Sequence, residues 1–399
     1  MTVRTSTMGS HYSLMSQMLR QQASSAKTQL QVSSGKRVLT PSDDPVAAGR
    51  ILALVDQLTA TSQDRRNTNV VQTRLSIEEQ ALADAGKLLQ RVRDLTLAAN
   101  NGTLDDKSRA AIATELTERI GELQAIANRR DATGEYLFAG NSVGTQPFVR
   151  SAAGMIYAGD QAIREVQVSP TQFVKIGHSG DQVFRGAPNG SGRFTVDTGA
   201  ANTGSGWIAP LAIVDPSAWT GGSFNVRFLD AANYEILDAS NTQVATGVYA
   251  SGHSIDFNGV RFAITGAPTA NDTFSVAPAA REDIFATFDA LAATLRQPTA
   301  TDTDRARFNT DISVALAQID SGMDHLINVR SEVGARLNVI DNVTTSRENL
   351  ELELQTAVSN LRDVDMIEAL SRLALEKSAL TAAQQSFAQL SRLSLFDYL

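Results

Sequence analysis

The sequence has no cysteine among its 399 residues. Disulfides, thiolate metal sites and a cysteine nucleophile are therefore excluded. No apolar run reaches the roughly 18–20 residues needed to cross a bilayer, which speaks against membrane insertion. The amino-terminal stretch "MTVRTSTMGSHYSLMSQMLRQQ" lacks an apolar core followed by small residues, so it does not read as a Sec-type signal. Aromatic residues are scarce at 6%, which suits helical cores built from Leu, Ile, Val and Ala. Cations do not dominate either: the formal charge is −8, whereas general nucleic-acid binding needs a surplus of Lys and Arg. Acids are missing locally, since no Asp or Glu precedes Asp43 while Arg4, Arg20, Lys27, Lys36 and Arg37 do. That arm is dilute in charge and rich in Gln and Ser, so a nucleic-acid or membrane tail is the weaker reading.

What is present is helical periodicity at both ends. Leu19, Ala23, Ala26 and Leu30 recur at helical spacing, preceded by Leu14, Met15 and Met18. After the two prolines of "LTPSDDP" the pattern resumes at Ile51, Val55 and Leu58. It continues through Val71, Leu75, Leu82, Ala85, Leu89, Val92 and Ala99. A helix from about Val46 to Ala99 would be on the order of 80 Å long. Thr103 and Asp106 have capping-box spacing for a following helix, with Ile112, Leu116, Ile120, Leu123 and Ala127 as its stripe. Helix returns at residues 281–295. A further run, with Thr301 and Asp304 at capping-box spacing, carries Phe308, Ile312, Leu316, Ile319, Met323, Val333, Leu337 and Ile340. Near the end, Met366, Leu373, Leu380 and Phe387 fall seven apart, and Ala369, Ala383 and Leu390 follow three of them. That is an a/d seam, interrupted by Glu376.

Between the helical ends the texture changes. Nineteen of the 27 glycines and both tryptophans lie between Gly134 and Pro278, where short β-prone runs alternate with turns. The fold class expected is α+β: an elongated helical rod or coiled coil made by the two ends, with a β-rich domain inserted mid-chain. The expected divisions are terminal helical arms (1–42 with 360–399), a helical rod (43–140 with 280–359) and a β-rich outer domain (141–279).

Chemistry is hard to find. His11, His178, His253 and His325 fall in unrelated contexts without a ligand three or four residues on, which gives little support to a zinc site or a catalytic triad. "TGSGWIA" and "NGSGRF" hold glycines better suited to turns than to a phosphate cradle. "TATDTDRARF" lacks the central glycine and terminal Glu of a calcium loop. No catalytic, cofactor or metal site is expected, and no enzyme. Asp43 and Asp44 could be taken for an acid pair, but adjacent carboxylates at a helix entrance diverge. A helix start explains them: Pro41 stops the preceding helix, Pro45 occupies the first helical position, Asp44 caps it, and Asp43 adds charge at the positive end of the dipole.

At these residues a resemblance emerges. "QVSSGKRVLTPSDDPVAAGRIL", "RRDATGEYLFAGN" and the terminal "AAQQSFAQLSRLSLFDYL" resemble the flagellin-like axial proteins of the bacterial flagellum, in the form of their hook–filament junction family. Flagellins proper usually carry an SGxRI…A-x-DDAAG version of the first motif. The resemblance covers about 140 residues at the front and 120 at the back. It implies a structural subunit outside the cell between hook-associated protein 1 and flagellin, exported by the flagellar type III apparatus with a chaperone and without a cleaved signal. Its partners would include copies of itself in a ring or helical array. The expected assembly interface comprises Leu14, Met18, Leu19, Leu30, Leu373, Leu380, Phe387, Leu390, Leu395 and Phe396. Pro41, Asp43, Asp44 and Pro45 form the expected hinge. A flagellin that builds long filaments is the alternative of the same class. A binding module presenting Trp207 and Trp219 from the β insertion is the alternative of another.

Overall fold

The computed structural model describes residues 7–152 and 154–396. Three helices come first: α1 (Thr7–Ser34), α2 (Pro45–Ala99) and α3 (Asp106–Ala127). Strands β1 (Phe148–Ser151), β2 (Gly154–Tyr157), β3 (Glu165–Ser169) and β4 (Gln172–Lys175) form two hairpins ahead of the short α4 (Gly180–Phe184). Then follow β5 (Ala187–Pro188), β6 (Phe194–Thr198), β7 (Trp207–Ile213), β8 (Phe224–Phe228) and β9 (Asn233–Asp238). The run is completed by β10 (Gln243–Val248), β11 (Ser254–Phe257), β12 (Val260–Thr265), β13 (Thr273–Pro278) and β14 (Arg281–Glu282). Helices α5 (Ile284–Thr294), α6 (Asp302–Arg362) and α7 (Met366–Phe396) close the chain. The chain is thus helical at both ends and β-rich between them.

Two compact units are present, residues 1–66 with 343–399 and residues 67–342. In the second unit the helical stripes are the core. Val71, Leu75, Leu82, Ala85, Leu89 and Val92 of α2 are buried, as are Leu116, Ile120 and Leu123 of α3, Phe288 and Leu291 of α5, and Ile312, Ile319 and Val333 of α6. Residues of one stripe recur at three and four because the helix turns every 3.6 residues, so one side of each helix loses its apolar surface to water exclusion. Phe148 joins this core through ring contacts with Tyr157, Phe184 and Phe285, all at 5.2–5.4 Å between centroids.

Helix starts are set by side-chain caps. Thr301 and Asp304 bond reciprocally at the start of α6, the Asp304 amide donating to Thr301 Oγ1 and the Thr301 amide to Asp304 Oδ2. At α3 the cap differs from the expected Thr103: Asp105 accepts from the Ser108 amide at 2.8 Å and is the N-cap. Thr103 instead bonds Asn101 in the loop. A carboxylate two residues nearer the helix outcompetes the hydroxyl because it also meets the positive end of the dipole.

The β-rich part has a five-stranded antiparallel sheet, order β10-β9-β8-β13-β6, and a three-stranded one, β11-β12-β7. Alternating residues from both sheets share one core, including Phe194, Val226, Phe228, Phe274, Ile208 and Phe262. Asn258 and Gly259 join β11 to β12 in a two-residue turn, both at positive φ. That geometry matches strand twist and favours Asn-Gly. A Cβ at residue 259 would also lie 2.2 Å from the Asp215 carbonyl oxygen.

Candidate assembly interface

In the unit formed by residues 1–66 and 343–399, α1 packs against α7. Along one side of α1 the less exposed positions are Leu14, Met18, Gln21, Ser25, Thr28 and Val32, with Gln31 buried beside them against the Arg37 carbonyl; those of α7 are Ala369, Leu373, Glu376, Leu380, Ala383 and Phe387. Both sets step by four and three, the spacing of a two-helix seam. The seam of α1 is half polar. Ser25 and Thr28 are buried in it, and next to it the Ser24 hydroxyl donates to Glu376 Oε1 at 2.7 Å. Glu376, which interrupts the heptads in sequence, thus lies inside the pair, with Oε2 buried and without a hydrogen-bond partner among the described residues.

The apolar stripe of α1 faces the other way. Tyr12, Met15, Leu19, Ala23, Ala26 and Leu30 are all exposed, Leu19 at 57% and Leu30 at 59%. A single helix leaving this much apolar surface in water forfeits the burial that stabilises helices in proteins. The expected interface residues therefore fall into two sets. Leu14, Met18, Leu373, Leu380 and Phe387 occupy the α1–α7 seam, and Leu19 and Leu30 point outward. The side chains of Leu390, Leu395 and Phe396 lie outside the described residues. Ile367 and Leu370 near the start of α7 are also exposed and were missed in the sequence, because they lie off its heptad positions.

The joints between helices lie against each other. Gly35, at φ +68°, ends α1 in the left-handed conformation that suits glycine. Residues 35–37 then run antiparallel to 362–364: the Arg37 amide donates to the Arg362 carbonyl, the Val364 amide donates to the Gly35 carbonyl, and Lys36 bridges Asp363. Arg37 Nη2 adds a bond to the Leu361 carbonyl at 2.7 Å, and Gln31 Nε2 donates to the Arg37 carbonyl at 2.7 Å. Sequence reading missed this clasp, since nothing local links positions that far apart in the chain.

Asp43 and Asp44 diverge. Asp44 Oδ1 accepts from the Ala47 amide at 2.9 Å, which makes Asp44 the N-cap of α2 with Pro45 as its first residue. Its carboxyl is held below the usual range by that amide and by Arg37. Asp43 does not serve the α2 dipole in the expected way. It turns back, accepting from the Leu39 and Thr40 amides at 3.0 and 2.9 Å while Lys27 Nζ lies 2.7 Å from Oδ1. The lysine first, then the amides, hold its carboxyl well below the ordinary carboxylate range. Pro41 does not end α1 as expected, because α1 already stops at Ser34 where Gly35 turns left-handed; Pro41 is exposed in the turn ahead of α2.

Elsewhere, polar residues are tied into structure. His178 is buried with Nδ1 2.8 Å from Glu78 Oε1 and Nε2 3.2 Å from Glu332 Oε2. It is a deeper position than its sequence context suggests. Trp219 packs on Phe194 and Phe224 beside the β core, and Trp207 is half-buried in β7. Neither ring lies open as a ligand platform. Among the described residues, no three His, Cys, Asp or Glu side chains are grouped to hold a metal ion.

Residues 5–143 match the bacterial flagellin N-terminal helical region, and residues 316–399 the bacterial flagellin C-terminal helical region. The fold is also that of FlgL from Xanthomonas campestris, with a TM-score of 0.71 and 36% identity over 76% of this chain and 99% of that one. The chain belongs to the flagellar hook-associated protein 3 (FlgL) family. Hook-associated protein 3 of Escherichia coli (strain K12) is 25% identical over 368 residues, 92% of this chain and 90% of that protein. The crystal structure of hook-associated protein 3 from Legionella pneumophila is matched with a TM-score of 0.74 and 26% identity, over 78% of this chain and 98% of that one. As a FlgL-family member the chain is a structural subunit of the bacterial flagellum, of the hook–filament junction.

Proposed function

We propose that this subunit couples hook-associated protein 1 to flagellin by helical contacts, without catalysis, and that copies of itself complete a ring or helical array. Residues 1–42 and 360–399 are the assembly arms, 43–140 with 280–359 the supporting helical body, and 141–279 the outer β domain. The observation that carries the reading is the outward apolar stripe on α1, Leu19 and Leu30 above all, left open while the other, half-polar side of the same helix meets α7. Fully burying a large apolar side chain is worth roughly 1.5–3 kcal/mol. Covering Leu19, Leu30 and their neighbours in an assembly therefore offsets the entropy of ordering the arms. Pro41, Asp43, Asp44 and Pro45, with the clasp beside them, act as the hinge between arm and body. Export runs through the flagellar type III apparatus with a chaperone.

Deletion of residues 1–42 or 360–399 tests the arms. Each truncated chain should stay folded by circular dichroism yet fail to support filaments in a strain lacking the full-length gene. Filament growth with both truncations would overturn the reading. Salting out the pure protein separates a junction subunit from flagellin, because only flagellin should give long self-polymers.

A further inference from the structure

We infer that the apolar stripe of α1 in one copy packs on the outward face of α2 in a second copy of the chain, with Arg20 of the first paired to Asp56 of the second. The inference deepens the proposed assembly role and rests on it.

Two open surfaces in residues 7–66 carry the argument. On α1, Met15, Leu19, Ala23, Ala26 and Leu30 step by four and three along one exposed side. Arg20 flanks the stripe. Among the described residues it donates only to the Ser16 hydroxyl, at 3.3 Å, and meets no carboxylate. On α2, Val46, Gly49, Leu52, Ala53 and Asp56 also share one exposed side, Val46 at 68% and Leu52 at 65%. A Cβ at residue 49 would meet nothing within 4 Å, so this face is shallow enough for a second helix to approach closely. Among the described residues Asp56 has no cationic partner.

Charge complementarity selects the occupant. The α1 arm carries cations and no acid as far as Asp43, and Lys27 is already engaged by Asp43. Arg20 is then the cation beside the stripe, and Asp56 the carboxylate beside the apolar face of α2, whose other edge carries the exposed Arg50. A large side chain on α1, Leu19, opposes small ones on α2 (Gly49, Ala53), the arrangement that interdigitates helices. The two surfaces differ, so the contact is heterologous. Repeated from copy to copy it propagates as a ring or helix and does not close into a two-fold dimer.

The absence of cysteine makes the contact directly testable in the full-length chain. In a strain lacking the gene, the wild-type chain must first restore filaments; if it does not, the assembly reading itself fails. Arg20→Glu and Asp56→Arg should each cut the fraction of filament-bearing cells by roughly tenfold, and the double variant should restore it, since every copy then carries the reversed pair. In parallel, Leu19→Cys and Leu52→Cys chains are co-expressed and oxidised in isolated hook fractions. A disulfide-linked dimer should form in the mixture and with neither chain alone. Three results would each overturn the inference while leaving the assembly role standing. They are a double variant that is exported and helical but no better than the singles, a Leu19→Cys dimer without the Leu52→Cys chain, and filaments without any cross-link in the mixture.

Discussion

Lys27 Nζ lies 2.7 Å from Asp43 Oδ1, which fastens the loop after α1 back onto α1 itself. The same carboxylate receives the Leu39 and Thr40 amides. The short acidic turn expected from sequence as a hinge and helix start is thus also fastened to α1 as a latch. Its strength depends on Asp43 staying ionised.

The first prediction concerns that ionisation. Asp43 has a folded-state pKa below its unfolded value, about 3.9 for a free Asp. Its contribution is thus fully present above pH ~4 and is lost as pH falls through the folded value. Thermal unfolding of the wild-type chain, followed by circular dichroism at pH 7 and at pH 3, should show a loss at low pH that Asp43→Asn shows to a smaller degree. At pH 7, tryptic cleavage after Lys36 and Arg37 should be several-fold faster in Asp43→Asn, because those bonds become accessible when the joint opens. Identical cleavage rates would mean that the clasp to residues 362–364 suffices alone.

The second concerns the facing joint. Asp365 Oδ1 accepts from the Ile367 and Glu368 amides at 2.9 and 3.1 Å, capping α7. Asp365→Ala leaves those donors to water and costs about 1 kcal/mol of helix stability. Hydrogen exchange at Ile367, Glu368 and Ala369 should accelerate about fivefold, with the β-rich strands unchanged. Asp365→Asn, which keeps an acceptor, should recover most of the protection.

How much of this was legible in the sequence depends on where the information sits. The stripes of α2, α3 and α6 could be read because Leu75, Leu82, Leu89, Leu116, Leu123 and Ile312 bury in one direction. Residues 7–34 were legible as a helix but not as to which side pairs. The eye follows Leu19 and Leu30, while the seam runs through Ser25 and Thr28, and polar residues at heptad positions carry no hydrophobic signal. The clasp of Arg37 on Leu361 and Arg362 left no local trace, since it joins backbone carbonyls to a residue far away in the chain. His178 looked isolated for the same reason: Glu78 and Glu332 come from two distant helices.

That histidine supports the third prediction. Glu78 is buried, Oε1 facing His178 and Oε2 without a hydrogen-bond partner among the described residues. Removing the imidazole strands a buried carboxylate, whereas removing both groups does not. His178→Leu should destabilise the unit by about 3 kcal/mol in urea unfolding, and His178→Leu/Glu78→Leu should recover more than half of that. A double variant as unstable as the sum of both singles would show that the two residues act independently.

The fourth prediction turns on Glu376, whose Oε1 accepts from Ser24 while Oε2 is buried without a hydrogen-bond partner among the described residues. A half-satisfied carboxylate weakens the α1–α7 pair relative to an apolar residue of similar size, because its desolvation is only partly repaid. Glu376→Leu also continues the heptad through Leu373 and Leu380, giving the seam a knob where it now has a charge. The variant should therefore raise the resistance of residues 7–34 to proteolysis and increase the stability of the helical arms by about 1 kcal/mol. Ser24→Ala should do the opposite, since it strips the remaining hydrogen bond from a carboxylate that stays in place. If arm pairing and arm assembly compete for the same helices, Glu376→Leu will also slow recovery of motility when supplied to a strain lacking the gene. Ser24→Ala, by loosening the pair, will not. Equal motility with a measurably tighter pair would separate the seam from assembly and leave the outward stripe of α1 as the surface that matters.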